Sequence, residues 1–370
     1  MIRLSTAFAA VVVFLAACGS QAAPPSISAP PPGASASLAT PGSLDALYQA
    51  AKAEGAVTWE AAPIKQAATD LAAAFSKKYP GIKVTYSSTS DPQLPAQIIT
   101  EVSAGNHEVR SIDLAHGGPS LFKPLVDRDL LLATDWTKLG VDASQSQLDG
   151  RWLFNEDGIP VLSYNTNNVQ PADVPHEWSD LLKPRWKGHK IAENAGPDTL
   201  AQLFFAMGEG PAKSYLTSLK DQQLVITKSK GPAREMVQAG QADIAASTAD
   251  ELVRGKAAGI PVELVPLGPM LHDVRGWYIP KAVQHPNAAR LLAAWLVSPE
   301  GLALQEKAGV SKDTPCSASD IAKFVCDRGI KYLDPQSVGL DQFTFYDKVA
   351  QYQTLAGQLI GANPNDAGSN

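Results

Sequence analysis

Short strand-like segments alternate with helical segments along most of this chain, and this alternation restricts the fold more than any other feature. In the first third, residues 56–59, 82–86 and 111–115 have the apolar or alternating pattern of strands. Between them, residues 64–75 and 94–102 have apolar side chains at helical spacing. The order β-α-β-α-β predicts a mainly parallel sheet with helices on both faces.

A second series of strands and helices follows residue 158. Strands are predicted at residues 159–164, 190–192, 224–227, 243–245 and 262–265, and helices at residues 199–207 and 232–239. Residues 276–279 are predicted to return to the first set, and helices follow from residues 285 and 298. The predicted fold class is α/β, with two lobes, mixed sheets covered by helices on both faces, and a hinge between the lobes. Because ligands of open α/β sheets bind beyond the carboxyl ends of strands, the cleft between the lobes is the expected site.

The first residues have the pattern of an export signal. Arg3 precedes an apolar stretch, residues 8–17, which is too short to span a membrane. The stretch ends in Leu15-Ala16-Ala17-Cys18, which resembles the lipobox of bacterial lipoproteins, where the cysteine sulfur receives diacylglycerol. We therefore expect a signal peptide at residues 1–17, a lipid on Cys18 and a disordered Ala/Pro/Ser-rich tether at residues 18–42. The alternative is an ordinary secretory leader.

Charge and cysteine content exclude other classes. The chain has 31 basic and 37 acidic residues and a formal net charge of −6, which argues against nucleic acid as a partner. Cys316 and Cys326 remain after Cys18 is lipidated. In an oxidising compartment they predict a disulfide, since a metal or redox pair would need shorter spacing or histidine partners. No cofactor is expected.

Five sequence blocks follow one another over most of residues 44–310, at residues 47–55, 75–84, 178–188, 240–245 and 279–301. In content and order these blocks resemble the bacterial extracellular solute-binding proteins, in the branch that contains ferric-ion, thiamine and phosphonate binders. The resemblance implies a periplasmic-binding-protein-like fold and the receptor role in an ATP-binding-cassette importer, with a permease and its ATPase as partners. It implies a monomer that is not an enzyme, held outside the cytoplasm on the cell membrane by its lipid.

The predicted domain organisation follows from that resemblance. Residues 43–164 form the first part of lobe 1, residues 165–274 form lobe 2, residues 275–360 form the return part of lobe 1 with C-terminal helices, and residues 361–370 form a tail.

The candidate ligand-binding residues lie at predicted strand ends of both lobes and at the two crossings between the lobes. They are Trp59, Glu60, Ser88, Thr89, Ser90, His116, Gly117, Tyr164, Asn194, Gly196, Ser229, Thr248, Arg275 and Trp277. Exposed N–H groups at strand-to-helix junctions suit an oxyanion, and an arginine adds a bidentate contact. Simpler readings stay open: helix capping at residues 88–90, a turn at Gly117, core positions for both tryptophans and no ligand role for His116.

The predicted solute is an organic or phosphorus-containing anion. Ferric-ion binders resemble one another in using adjacent tyrosines after the Ala-Asp-Ile strand, whereas residues 246–251 of this chain contain no tyrosine and no two tyrosines are neighbours. A ferric-ion receptor is therefore the alternative within the family. A secreted hydrolase is the alternative of another class, since Ser120 and Lys123 match a Ser-x-x-Lys pattern but lack its companion motifs.

Overall fold

The computed structural model of the protein describes residues 41–60, 65–87, 93–106, 109–307 and 326–362. Strands and helices alternate through these ranges, which confirms the predicted α/β class. They form a first lobe at the start of the chain and a second lobe built on a five-stranded sheet. Among the described residues, no helix has the length and apolar character needed to cross a bilayer.

The first lobe contains the chain's early elements and several that return to it later. Its helices are α1 (Leu44–Glu54), α2 (Lys65–Lys78), α3 (Leu94–Glu101), α4 (Pro119–Val126), α9 (Pro286–Leu296) and α10 (Pro299–Lys307). Its strands are β1 (Ala56–Glu60), β2 (Lys83–Ser87), β3 (Ala115–Gly117), β4 (Ser146–Gln147), β5 (Trp152–Gly158) and β12 (Asp273–Tyr278). β1 pairs with β2 in parallel, and the other four form an antiparallel sheet in the order β3-β12-β5-β4. A parallel bridge from Trp59 to Leu114 joins the two groups.

The second lobe is a five-stranded mixed sheet between two layers of helices. Its strands are β6 (Pro160–Asn165), β7 (Ile191–Asn194), β8 (Val225–Thr227), β9 (Ile244–Thr248) and β10 (Val262–Leu264), in the order β10-β6-β9-β7-β8. Its helices are α5 (Asp198–Met207), α6 (Glu209–Lys220), α7 (Lys230–Gln238) and α8 (Ala249–Ala257). β9, β7 and β8 run in parallel, whereas β6 runs antiparallel to β9.

The two faces of this sheet bury different helices. Ile191 of β7 packs in a cluster with Leu200 of α5, whereas its neighbour Ala192 packs with Ala233 of α7 and Leu252 of α8. Alternate strand residues point to opposite faces, so α5 covers one face while α7 and α8 cover the other. This placement brings the amino termini of all three helices to the edge where β7, β8 and β9 end.

A long C-terminal helix contacts both lobes. The remaining elements are β11 (Met270–Leu271), β13 (Tyr332–Leu333), which pairs with β11, and α11 (Gln342–Ile360). Phe343 of α11 lies 6.1 Å, between ring centroids, from Phe122 of α4. Tyr352, about two and a half turns further along α11, stacks on Phe204 of α5 at 4.5 Å. Residues 275–360 were predicted to belong with lobe 1, so the packing of α11 on α5 is a feature that the predicted division does not describe.

Short 3₁₀ helices of three to five residues connect several of these elements. They lie at Trp136–Leu139, Ala143–Gln145, Pro171–Asp173, Trp178–Leu182, Pro184–Trp186 and Gln336–Val338.

The predicted strand at residues 111–115 is the clearest difference from the sequence-based elements, because the strand begins at Ala115. Before it, the backbone N–H of Asp113 donates to the backbone oxygen of Thr58 at 2.8 Å, but the N–H of Thr58 donates at 2.8 Å to one carboxylate oxygen of Asp113, whose other oxygen accepts from the N–H of His285 at 3.0 Å. A side chain therefore takes the place of a backbone partner there. The helix predicted to reach residue 102 ends at Glu101 and continues as one π-helical turn, Val102–Asn106.

Candidate ligand-binding site

Three helices of the second lobe begin where three neighbouring parallel strands end. β7 ends at Asn194, β8 at Thr227 and β9 at Thr248, and α5, α7 and α8 begin within four residues of these ends. The first turn of each helix leaves backbone N–H groups without partners inside the helix, and the helix dipole places about half a positive charge there. This edge of the sheet is therefore suited to a negatively charged group.

The side chains that could cap α7 and α8 do not do so. Ser229 and Thr248 occupy the cap positions in extended conformations, but neither side chain hydrogen bonds to the first turn. By contrast, Ser43 caps α1 and Asp341 caps α11 with their side chains. α4 of the first lobe also starts without a side-chain cap, at Gly118, directly after β3. Some first-turn N–H groups of these helices are therefore left for another acceptor, whereas the N–H of Ala249 in α8 already donates to the backbone oxygen of Ile159 and that of Leu121 in α4 to the backbone oxygen of Gly118.

The first lobe brings together most of its predicted site residues. Trp277 of β12 pairs with His116 of β3, and their rings lie 4.5 Å apart. The rings of Trp59 and Trp277 lie 5.7 Å apart, and Trp59 also meets Tyr86 at 5.9 Å. Trp59, Trp277 and Glu60 are all buried. The two tryptophans belong to the hydrophobic core of the first lobe, so they support the strand ends from behind.

His116 is an uncharged imidazole at neutral pH. It is buried, and the loss of hydration, together with the positive charge of Arg275, lowers its pKa to about 3. Arg275 also lies 3.6 Å (Nε to Oδ2) from Asp273 on the same strand, and its side chain is about one-quarter exposed. Arg275 is thus a charged side chain of the first lobe that can reach solvent near the lobe crossing.

The strand ends of both lobes lie along β5 and β6, which together form the crossing between the lobes. Gly117 pairs with Gly276, which pairs with Phe154 of β5. Six residues further along the same crossing, Pro160 of β6 pairs with Thr248. At about 3.3 Å per residue, the ends of β3 and β9 are roughly 20 Å apart along this crossing.

A buried polar cluster in the second lobe was not predicted from the sequence. Glu193 of β7 hydrogen bonds to Thr199 of α5, and Asp198 pairs with Lys230 at the start of α7. Glu193 is 1% exposed, and burial is the main reason why its pKa rises to about 8. Asp198 and Lys230 therefore tie the first turns of α5 and α7 together, next to a carboxyl group that is neutral at pH 7.

The remaining predicted residues fall into three groups: some lie at the site, one lies at the opposite edge of the sheet, and others are outside the described residues. Asn194, Gly196, Ser229 and Thr248 lie together at the edge where β7, β8 and β9 end. Tyr164 does not lie there, because β6 is antiparallel to β9 and Tyr164 pairs with Ile244 at the opposite end. Ser88, Thr89, Ser90, Cys18 and Cys316 lie outside the described residues. The pairing of Cys316 with Cys326 stays a prediction.

The described part of the chain contains no group of three or more His, Cys, Asp or Glu side chains arranged to hold a metal ion. What the described residues offer at the site are helix amino termini, polar side chains, the Asp198–Lys230 ion pair and the guanidinium group of Arg275.

Comparisons with known proteins give a consistent result. Residues 60–303 match the sequence family described as bacterial extracellular solute-binding protein. An Fe(3+)-binding periplasmic protein from Serratia marcescens is 32% identical over 167 residues, which is 44% of this chain and 48% of that protein. The chain thus spans about half the length of this curated relative.

Solved structures share the fold over most of the chain. Iron-bound HitA from Pseudomonas aeruginosa superposes with a TM-score of 0.64 at 22% identity, covering 83% of this chain and 99% of HitA. AfuA from Actinobacillus pleuropneumoniae, with fructose-6-phosphate bound, superposes with a TM-score of 0.57 at 18% identity, covering 83% and 96%. These neighbours confirm the predicted two-lobed fold.

Proposed function

Because the chain belongs to the bacterial extracellular solute-binding proteins, we propose that it is the receptor of an ATP-binding-cassette importer. It captures a small anionic solute between its lobes and delivers it to a membrane permease. The family assignment confirms the resemblance read from the sequence; the solute and the permease are the proposal.

The uncapped helix amino termini carry the proposal of an anion. α4 follows β3 in the first lobe, and α7 and α8 follow β8 and β9 in the second, all without a side-chain cap. Each offers backbone N–H groups that an oxyanion can accept from, and Arg275 adds a positive charge near the crossing. A solute that contacts both lobes favours the closed arrangement, because it binds that arrangement more tightly than the open one.

A ferric-ion receptor is the second candidate, and the relatives favour it: the Serratia marcescens protein is named as Fe(3+)-binding and HitA is iron-bound. The residues of this chain favour it less. Asp250 and Glu251, just after β9, are held in ion pairs with Arg254 and Arg234, and no tyrosine accompanies them. AfuA, whose structure contains fructose-6-phosphate, is a neighbour that supports a phosphorylated organic solute.

Calorimetric titration distinguishes these candidates. Purified protein is titrated with phosphonates, sugar phosphates, carboxylates and ferric citrate. We expect an organic or phosphorus-containing anion to bind, and a solute at 100 times its Kd to raise the free energy of unfolding by about 2.7 kcal/mol. Tight binding of ferric iron with a charge-transfer absorption band, without binding of the iron-free anions, would establish the iron receptor instead.

A hydrolase would need a base beside Ser120, and Lys123 is poorly suited to that role. Its ammonium lies 2.7 Å from Oδ2 of Asp127, and this hydrogen bond is the main cause that raises the pKa of Lys123. A protonated lysine cannot accept the serine proton. We therefore propose no catalytic activity; turnover of a chromogenic ester or lactam that Ser120→Ala abolishes would refute this.

The membrane anchor is also part of the proposal. A lipid on Cys18 would hold the receptor at the outer face of the cell membrane, close to its permease. When the protein is expressed in bacteria fed labelled palmitate, the wild-type chain should carry the label and the Cys18→Ala variant should not. Equal labelling of both chains would contradict the anchor.

A further inference from the structure

Two buried polar side chains lie on one face of the second-lobe sheet, just below the amino termini of α7 and α8. Ala192 of β7 and Ala245 of β9 pair in register, and both belong to the apolar cluster that packs against α7 and α8. Two residues further along each strand are Asn194 and Ser247, which the strand alternation places on this same face. Each is 1% exposed.

The side-chain amide of Asn194 has an acceptor atom that the described part of the chain leaves without a donor. Its Nδ2 donates to the backbone oxygen of Gly196 at 2.8 Å, which settles the orientation of the amide. Its Oδ1 is buried and has no hydrogen-bond partner among the described residues. Since the two amide atoms point about 120° apart, Oδ1 is directed away from the Gly196 loop. A buried acceptor left without a donor is unfavourable by about 1–3 kcal/mol, so this oxygen is a place where a ligand donor would be stabilising.

Ser247 adds a second polar atom to this buried face of the sheet, which we call the floor of the site. Among the described residues, the Oγ of Ser247 makes a single hydrogen bond. It is a long one, 3.4 Å to the backbone oxygen of Thr248. A hydroxyl group can also accept, so Oγ is able to receive a further hydrogen bond.

The rim above this floor supplies donors. Gly196, Ser229 and Thr248 follow β7, β8 and β9, and all three are partly exposed. The first-turn N–H groups of α7 and α8 are not capped by Ser229 and Thr248, as described above. N–H donors therefore lie at the partly exposed rim, and the buried Asn194 acceptor lies behind them.

We infer that this subsite, formed by Asn194, Ser247 and the amino termini of α7 and α8, selects an oxyanion that also carries a hydroxyl donor. The anionic oxygens accept from the helix N–H groups, while the hydroxyl group donates to Oδ1 of Asn194. Hydroxycarboxylates and sugar phosphates share this chemistry; a bare metal ion and a fully deprotonated oxyanion without a hydroxyl group do not. The inference rests on the proposed function, because it names the class of anion that the receptor takes.

Matched solutes with and without the hydroxyl group test the inference by calorimetric titration. The pairs are malate and succinate, citrate and tricarballylate, and glycerol 3-phosphate and propyl phosphate. We expect at least one hydroxylated member to bind wild-type protein about 10-fold or more tightly than its partner, because the partner leaves the buried acceptor unpaired. Asn194→Ala should reduce this preference to less than about 3-fold, mainly by weakening the binding of the hydroxylated solute.

Two further variants keep the result interpretable. Asn168→Ala is the matched control, because Asn168 also donates to a backbone oxygen of this lobe, that of Gly240 at 3.0 Å, but far from the subsite; it should keep the preference. Ser247→Ala leaves the Asn194–Gly196 hydrogen bond in place and should weaken binding of the hydroxylated solute. It therefore tests the inference even if Asn194→Ala fails to fold.

The outcomes separate this inference from the function on which it rests. If oxyanions bind but hydroxylated and deoxy members bind equally, or the preference survives in both Asn194→Ala and Ser247→Ala, the inference is wrong and the anion receptor stands. If no oxyanion of the panel or of the wider titration binds, the anionic solute is wrong and the inference falls with it.

Discussion

At the scale of single residues, Glu193 shows how burial changes chemistry at the site. Its carboxyl group lies under the first turn of α5, where the loss of hydration raises its pKa and the negative charge of Asp198 adds to the rise. The hydrogen bond from Thr199 acts in the opposite direction but does not cancel the effect. With a pKa of about 8, Glu193 keeps its proton at pH 7 in the folded protein.

This proton makes the stability depend on pH. Between pH 4.5, the ordinary pKa, and pH 8, the unfolded chain has lost the proton that the folded chain keeps. The free energy of unfolding therefore falls as pH rises through this range, by at most about 1.4 kcal/mol per pH unit. Glu193→Gln has no such proton, so it should flatten the fall and be more stable than wild type at pH 7 to 8.

Urea unfolding at four pH values between 5 and 8 measures this effect. Glu235→Gln is the control, because Glu235 is an exposed residue of the nearby helix α7 and its loss should leave the profile unchanged. Identical profiles for wild type and Glu193→Gln would show that Glu193 is not held neutral.

At the scale of elements, α11 supports the loop that leads from β7 to α5. Gly357 lies so close to this loop that a Cβ atom would stand 2.2 Å from the backbone oxygen of Ala195. Backbone atoms cannot rotate away as a side chain can, so Gly357→Ala must push α11 and the loop apart. We expect a loss of about 2 kcal/mol or more in the free energy of unfolding, measured by urea denaturation.

Gly210 is the matched control for that substitution. It lies in α6 on the surface of the same lobe, and a Cβ atom there would meet nothing within 4 Å. Because alanine is the better helix former by about 1 kcal/mol, Gly210→Ala should be neutral or stabilising. Equal losses in both variants would show that helix propensity, and not the contact with Ala195, explains the result.

At the scale of the whole molecule, the proposed function requires motion between the lobes. β5 passes into β6 through Ile159 alone, and a solute that bridges the strand ends on both sides of this crossing favours closure. We expect a solute found by titration to lower the radius of gyration measured by small-angle X-ray scattering. A scattering curve that stays the same at saturating solute would contradict a closing receptor, even if binding itself were tight.

Part of the strand-end arrangement could be predicted from the sequence. Trp59, His116 and Trp277 were predicted because strand ends can be recognised from local patterns, and the structure packs their rings together in the interior of the first lobe. Their role in ligand binding stays a prediction. Tyr164 was also placed at a strand end, but the direction of β6 relative to β9 puts it at the far edge. Strand direction is set by pairing between distant residues, so a local pattern does not contain it.

The buried charges show the same limit. Glu193 and Lys230 look in the sequence like ordinary surface residues after strands, and only their contacts with Thr199 and Asp198 show that they belong to a buried cluster. The uncapped state of α7 and α8 is hidden in the same way, since Ser229 and Thr248 are residues that usually cap.

By itself, the sequence determined the alternation of strands and helices, the family and the residues where most strands end, because each of these depends on neighbours along the chain. The tertiary structure alone decided which strand ends share an edge, which polar groups lose their water and which helix amino termini stay open. These depend on pairing and burial between residues far apart in the chain, where the free energies of desolvation and hydrogen bonding are set.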